Sequence, residues 1–202
     1  IGSVMNYFLN LILYSFSKLA VAVFGAYFKV QSMAFMPVFG LNNGMIPIIS
    51  YNYGAQKPDR MKRTMKLGVM VGCSIMVFCL AIMQVFPGQI LKIFDATDEM
   101  LLMGIPAVRI MSTAFIFAGF SVTCSGMFQA VGKGVYSMIV SMARQLFVIL
   151  PVAYFLSKAM NSVNGVWAAF PIAEVFSVII STIFLLRVYK KIVKPMESVQ
   201  RD

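Results

Sequence analysis

GLNNGMIPIISYNYGAQKPDRMKRTMK, residues 40–66, is the stretch from which the rest of the chain is read. It begins as apolar helix, with small residues at Gly40 and Gly44 and a proline at Pro47. It ends on Lys57, Arg60, Lys62, Arg63 and Lys66. An apolar helix that stops at a dense cationic segment is how a membrane span ends on the cytoplasmic side. A basic loop is therefore expected over Asn52 to Lys66, with spans on either side of it.

The composition agrees. Of 202 residues, 60% are hydrophobic and only 12% charged, too few to coat a soluble domain. A mean hydropathy of +0.84 implies a bundle that is apolar on its outside as well, facing lipid. The net charge of +10 would point to nucleic acid in a soluble protein. Here the cations sit in alternate loops rather than along one face, which argues against a nucleic-acid partner. Cys73, Cys79 and Cys124 lie in apolar runs without metal-ligand spacing and read as inert core thiols. Histidine is absent, which removes the commonest general base and transition-metal ligand. No metal site is expected.

Outward from residues 40–66, the pattern predicts an all-α membrane protein, a bundle of six transmembrane helices. Ile1 to Phe16 is the end of a first span, with Asn6, Asn10 and Tyr14 spaced by four on one face. Val21 to Ser50 is a long second span interrupted by Pro37 and Pro47, with Lys29 and Gln31 near its start. Leu67 to Phe86 is the third, with a second G-x-x-x-G at Gly68 and Gly72. Pro87-Gly88 breaks it, and an amphipathic segment, Gln89 to Met100, follows. Leu101 to Val131, Val135 to Leu156 and Gly165 to Leu186 complete the six, the fourth and fifth joined at a tight Gly132-Lys133-Gly134 loop. Residues 1–190 form one six-helix lobe, and residues 191–202 a basic, polar cytoplasmic tail. The chain opens at Ile1 on already apolar residues, so it is expected to be a fragment that lacks the start of its first span and whatever precedes it.

Six spans put loops on alternate sides. One side receives eleven cations: Lys57, Arg60, Lys62, Arg63, Lys66, Lys133, Arg187, Lys190, Lys191, Lys194 and Arg201. The other receives three, Lys18, Lys92 and Lys158. By the positive-inside bias the first side, with the C-terminus, is cytoplasmic.

Chemistry is sought among polar groups inside apolar runs. Lys29, Arg109, Arg144 and Glu174 are ionisable, and such groups face a bundle interior, pair with one another or snorkel to the headgroups. Lining a pathway is the functional alternative for each, and a structural ion pair with an arginine is the competing one for Glu174. Asn42, beside the interruption formed by Pro37, Gly40, Gly44 and Pro47, marks a bending or binding element of the kind transporters use. Seventeen methionines and eighteen phenylalanines suit a pliable apolar cavity, although most must simply face lipid or core. No catalytic residue is identified: H-E-x-x-H, G-x-S-x-G and paired intramembrane carboxylates are all missing.

The ordered set G-L-N-N-G-M-I-P-I-I-S-Y-N-Y-G-A (40–55), F-Q-A-V-G (128–132), Arg144-Gln145 and W-A-A-F-P-I-A-E (167–174) resembles the C-terminal half of bacterial multidrug and toxic compound extrusion (MATE) transporters. That resemblance implies one lobe of a twelve-helix transporter, two six-helix lobes around a cleft that opens alternately to each side. It implies secondary active efflux of cationic amphipathic drugs or toxins in exchange for Na⁺ or H⁺, across a bacterial inner membrane. The partners implied are the lipid bilayer, small cationic substrates and the missing N-terminal lobe. Some branches of the family place coupling carboxylates in the seventh and tenth spans, but Ile1–Phe16 and Leu101–Val131 contain neither Asp nor Glu. The coupling ion, Na⁺ or H⁺, is therefore expected in the N-terminal lobe, and no other cofactor is expected. Asn6, Asn10, Tyr14, Lys29, Gln31, Asn42, Arg109 and Glu174 are the expected lining of this half of the cleft. An exporter of lipid-linked oligosaccharide or polysaccharide is the alternative within the superfamily and would want a more cationic groove. A non-transporting membrane scaffold is the alternative outside it and would bury its polar stripe in helix contacts.

Overall fold

The computed structural model describes residues 1–199 and is helical from end to end. Arg201, counted above with the cationic side, lies outside the described residues. The elements are α1 (Gly2–Tyr14), α2 (Lys18–Gly54), α3 (Pro58–Val85), α4 (Pro87–Lys92), α5 (Asp98–Ser112), α6 (Phe115–Ala130), α7 (Gly134–Met142), a π-helical segment (Ala143–Val148), α8 (Ile149–Ala159), α9 (Asn164–Val188), a second π-helical segment (Tyr189–Val193) and α10 (Lys194–Val199). Four continuous helical runs are long and apolar enough to cross a bilayer, and the bent pair α5–α6 makes a fifth. The sixth crossing is represented by α1, whose 13 residues cover part of a bilayer's thickness.

Helix ends follow local chemistry. At the end of α6, Gly132 is left-handed (φ 73°), and the Lys133 and Gly132 N–H groups donate to Phe128 O (2.7 Å) and Gln129 O (3.0 Å). This is the paired closure that absorbs orphan carbonyls, and glycine adopts its backbone without a Cβ penalty. Ser17 starts α2 by accepting the Ala20 N–H, and Thr97 starts α5 by accepting the Met100 N–H.

Three expectations need correction. Asn52 to Lys66 is not a loop: α2 runs to Gly54, the chain turns at residues 55–57, and α3 begins at Pro58. Pro58 sits at the first helical position, where its missing N–H costs nothing, and Asp59 complements the positive end of the helix. The cations from Arg60 to Lys66 are therefore the first turns of α3. Second, Pro37 and Pro47 do not interrupt α2, which is one 37-residue helix. Third, Leu101–Val131 is not one straight span. It divides at Thr113-Ala114, with a 49° bend. Ser112 and Thr113 hydroxyls bond back to Arg109 O and Ile110 O, and Gln84 of α3 donates to Arg109 O (2.8 Å) and Ser112 Oγ (3.0 Å). Side chains inserted into a helix ladder in this way open and bend it. At the C-terminal end, α9 continues through the second π-helical segment into α10, and Lys62 ties α3 to this extension through Glu197 (2.7 Å).

In lipid, close packing rather than expulsion from water holds helices together, so small residues and interlocking side chains matter most. Gly68 and Gly72 of α3 meet Met45, Thr123 and Gly119, and a Cβ on Gly119 would lie 2.9 Å from Cys73 Cα. One core cluster includes Leu9, Tyr27, Phe115, Trp167 and Phe170. A second, at the cationic end of the bundle, joins Met45, Met61, Phe128 and Phe184 to Val193 and Met196 of the C-terminal extension. The edge-to-face pair Phe35–Phe115 (5.5 Å, 89°) contributes about 1 kcal/mol beyond contact area.

Candidate functional site

Two half-open cavities lie between the helices, and Arg144, ion-paired to Glu174, lines both. The first, about 340 Å³, is toward the cationic end. Its lining mixes apolar side chains such as Ile46 and Val140 with polar ones: Asn42 and Asn43 of α2, Ser121 and Gln129 of α6, Ser137 and Ser141 of α7. The second, about 380 Å³, is toward the opposite end and is mostly apolar, with Phe28, Phe115, Phe170, Met5 and Met36, relieved by Gln31 and Ser32. Phe35, Phe39, Arg144 and Gln145 line both.

Arg144 and Gln145 stand on the π-helical segment, a turn widened by one residue of the kind that gathers at functional sites. Pro151 follows shortly in α8; it has no N–H to offer the preceding turn, so regular hydrogen bonding is interrupted there in any case. Across from this segment, α9 presents Glu174. Arg144 Nη1 donates to Glu174 Oε1 at 2.7 Å. Glu174 is only 7% exposed, and its Oε2 has no protein partner. Ser177 and Ser181 follow Glu174 on the same face of α9, and Ser121 lies on α6; all three hydroxyls are buried without a protein partner. Buried hydroxyls of this kind are satisfied in membrane proteins by water or ligand.

Asn42 is held by a hydrogen bond from its Nδ2 to Val122 O (2.9 Å), and its Oδ1 is free. Gly126 makes the room: a Cβ there would stand 2.8 Å from Asn42 Cγ.

The residues expected to line the cleft divide. Gln31, Asn42 and Glu174 line the cavities. Asn6 and Asn10 are half-buried on α1 beside the inward stripe Met5, Leu9 and Leu13, and Tyr14 is exposed. Lys29 is exposed, and its ammonium lies 5.9 Å from the Phe94 ring in the connector after α4, so it reaches toward the bundle end rather than the interior. Arg109 is exposed as well. Pro37, Gly40, Gly44 and Pro47 lie together on an open face of α2. Arg144 was legible as an intramembrane charge, but its place in the site depends on Glu174 facing it. Gln145 was legible only as part of the Arg144-Gln145 motif, and Phe35 and Phe39 have no signal in the sequence that separates them from other phenylalanines.

The MatE family model matches residues 1–155. The chain is 26% identical over 159 residues to the multidrug export protein MepA of Staphylococcus haemolyticus (strain JCSC1435), covering 79% of this chain and 35% of that protein. It is 28% identical over 166 residues to MepA of Staphylococcus aureus (strain bovine RF122 / ET3-1), covering 82% and 36%. The chain thus spans about a third of the length of these curated relatives. Its fold matches the outward-facing conformation of a multidrug resistance MATE family transporter of the MOP superfamily, with TM-score 0.88 and 19% identity over 98% of this chain and 44% of that one. The inward-facing conformation of such a transporter matches with the same TM-score, 0.88, at 19% identity over 98% and 45%.

Proposed function

The chain belongs to the MatE family, and from that membership we propose that it supplies one six-helix lobe of a secondary transporter that expels cationic amphipathic compounds in exchange for Na⁺ or H⁺. The observation that bears most weight is the pair of cavities that share Phe35, Phe39, Arg144 and Gln145, one mostly apolar with several aromatic rings, the other mixing apolar side chains with amides and hydroxyls. An amphipathic molecule has an apolar ring system and a polar or charged end, and the two cavities offer complementary surfaces for them. The lining residues include one arginine neutralised by one glutamate and no other charged side chain, among the described residues. A net-neutral lining admits a cation; an exporter of anionic lipid-linked saccharides would want surplus positive charge. A scaffold has no use for cavities of about 340 and 380 Å³.

The equal likeness to outward- and inward-facing structures supports a lobe that moves as one body, rocking against a second lobe. The open α2 face at Pro37, Gly40, Gly44 and Pro47 is where bending would add to that motion. The chain carries no catalytic centre in this proposal. It resides in a bacterial plasma membrane with its cationic end and C-terminus in the cytoplasm, and the principal coupling ion is held by the other lobe.

The test is transport by the full-length gene product in vesicles. Ethidium accumulation driven by an imposed pH or Na⁺ gradient, and abolished by collapsing it, is the expected result. Gradient-independent ethidium movement, equal to that of empty vesicles, would overturn the proposal.

A further inference from the structure

We propose that the cationic end of the lobe holds a site for anionic phospholipid headgroups, built jointly by the first turns of α3 and the extension that follows α9. A lipid phosphate of the adjoining leaflet sits between Arg60, Arg63 and Lys66 on one side and Lys190, Lys191 and Lys194 on the other. The site depends on the bundle being embedded in a bilayer and is independent of what the protein transports.

Two stretches far apart in sequence are brought side by side. Lys62 of α3 reaches Glu197 of α10 at 2.7 Å. Met61 of α3 lies in one buried cluster with Val193 and Met196 of the extension. Two crossings, α5–α6 and the run from α7 to α8, separate α3 from α9, so these two helices run antiparallel. One turn from Lys62 toward the bundle is Lys66. In the same direction from Glu197 come Lys194 and then Lys191 and Lys190. The register set by the Lys62–Glu197 contact therefore levels the two rows of cations with each other.

The charge of this end is not neutralised from within. Asp59 and Glu197 are its acids among the described residues, and Lys62 holds both, at 2.9 and 2.7 Å. The other six cations are exposed and form no ion pair among the described residues. Clusters of this size beside a span attract anionic lipid, the arginines as forks that fit phosphate oxygens and the lysines as point charges. Exposed rings fix the depth. Tyr51 near the end of α2 and Tyr189 at the start of the second π-helical segment are both exposed, and such rings sit at headgroup level. Lys190, Lys191 and Lys194 follow Tyr189 within five residues, and the first two stand on the widened turn itself, a geometry that gathers at functional sites.

The experiment uses the full-length protein in detergent, titrated with phosphatidylglycerol or phosphatidylcholine. Bound lipid is read by native mass spectrometry and stability by thermal unfolding. Phosphatidylglycerol is expected to bind about tenfold or more tightly than phosphatidylcholine, and less so as ionic strength rises. Arg60→Gln/Arg63→Gln/Lys66→Gln and Lys190→Gln/Lys191→Gln/Lys194→Gln are each expected to bring that preference to within about twofold of none, with nothing further lost when the two triples are combined. Lys190→Arg/Lys191→Arg/Lys194→Arg is expected to keep it, which separates lost charge from a damaged fold. Lys29→Gln/Lys92→Gln/Lys158→Gln, which removes as many exposed cations from the opposite end, is expected to leave it unchanged. A wild type without the preference, losses from the two triples that simply add, or an equal loss in the opposite-end triple would each overturn the proposal. So would inorganic phosphate that stabilises the protein as much as the lipid does.

Discussion

Gly68 and Gly72 on α3 have the same spacing as Gly40 and Gly44 on α2, yet their surroundings are opposite. Nothing lies within 4 Å of a Cβ built on Gly40 or Gly44, whereas Gly68 and Gly72 press against Met45 and Thr123. The charged residues divide in the same way. Arg144 and Glu174 meet inside the bundle, while Lys29 and Arg109 point out of it. In a membrane helix the same residue is a packing element or an idle surface depending on what stands across from it, because lipid does not sort the faces as water does.

The contrast can be broken by substitution, most strongly at the ion pair. Arg144→Ala leaves a buried carboxylate without its counter-ion and is expected to destabilise the protein by about 3 kcal/mol, read as thermal unfolding in detergent. Lys29→Ala, removing a charge of the same sign from the outside, is expected to move stability by no more than about 0.5 kcal/mol. Equal losses for the two would contradict the division into inner and outer charges.

The glycines sharpen it next. Gly119→Leu drives side-chain atoms into the α3 backbone at Cys73 and is expected to cost about 2 kcal/mol, enough to lower the unfolding temperature visibly. Gly40→Leu meets open space in this lobe and is expected to cost about 0.5 kcal/mol or less. If a second lobe covers the α2 face, Gly40→Leu will instead depress transport with unfolding of the isolated lobe unchanged, and a matched assay separates the two effects.

A finer test lies between them. Gly126→Ala crowds Asn42 at 2.8 Å and is expected to weaken its bond to Val122, costing about 1 kcal/mol and perturbing ethidium affinity through the polar cavity. The smallest effect is expected outside the membrane-facing core. Lys62→Ala removes contacts to Asp59 and Glu197 at a solvent-screened site, and its effect on the unfolding temperature is expected to be the smallest of the set and to vanish at high salt.

Much of the architecture was legible from local chemistry. Gly132 and Pro87 announce helix ends because backbone geometry at those points depends on one or two residues. The cationic segment was harder. Arg60 to Lys66 looks like loop by charge, but charged residues are good helix formers, and Pro58 with Asp59 starts a helix beneath them. The bend at Thr113 escaped because its cause, Gln84, comes from another helix. Pro37 and Pro47 promised an interruption, and α2 absorbed both without one.

From the sequence alone came a membrane-embedded helical bundle and an expected gathering of loop cations on one side, because hydropathy and loop charge act through the solvent and need no partner. Only the tertiary structure decided which polar groups face inward. Helices such as α2 and α9 are apolar on every side, so periodicity does not mark their inner face. The meeting of Arg144 with Glu174 depends on the packing of the π-helical segment against α9.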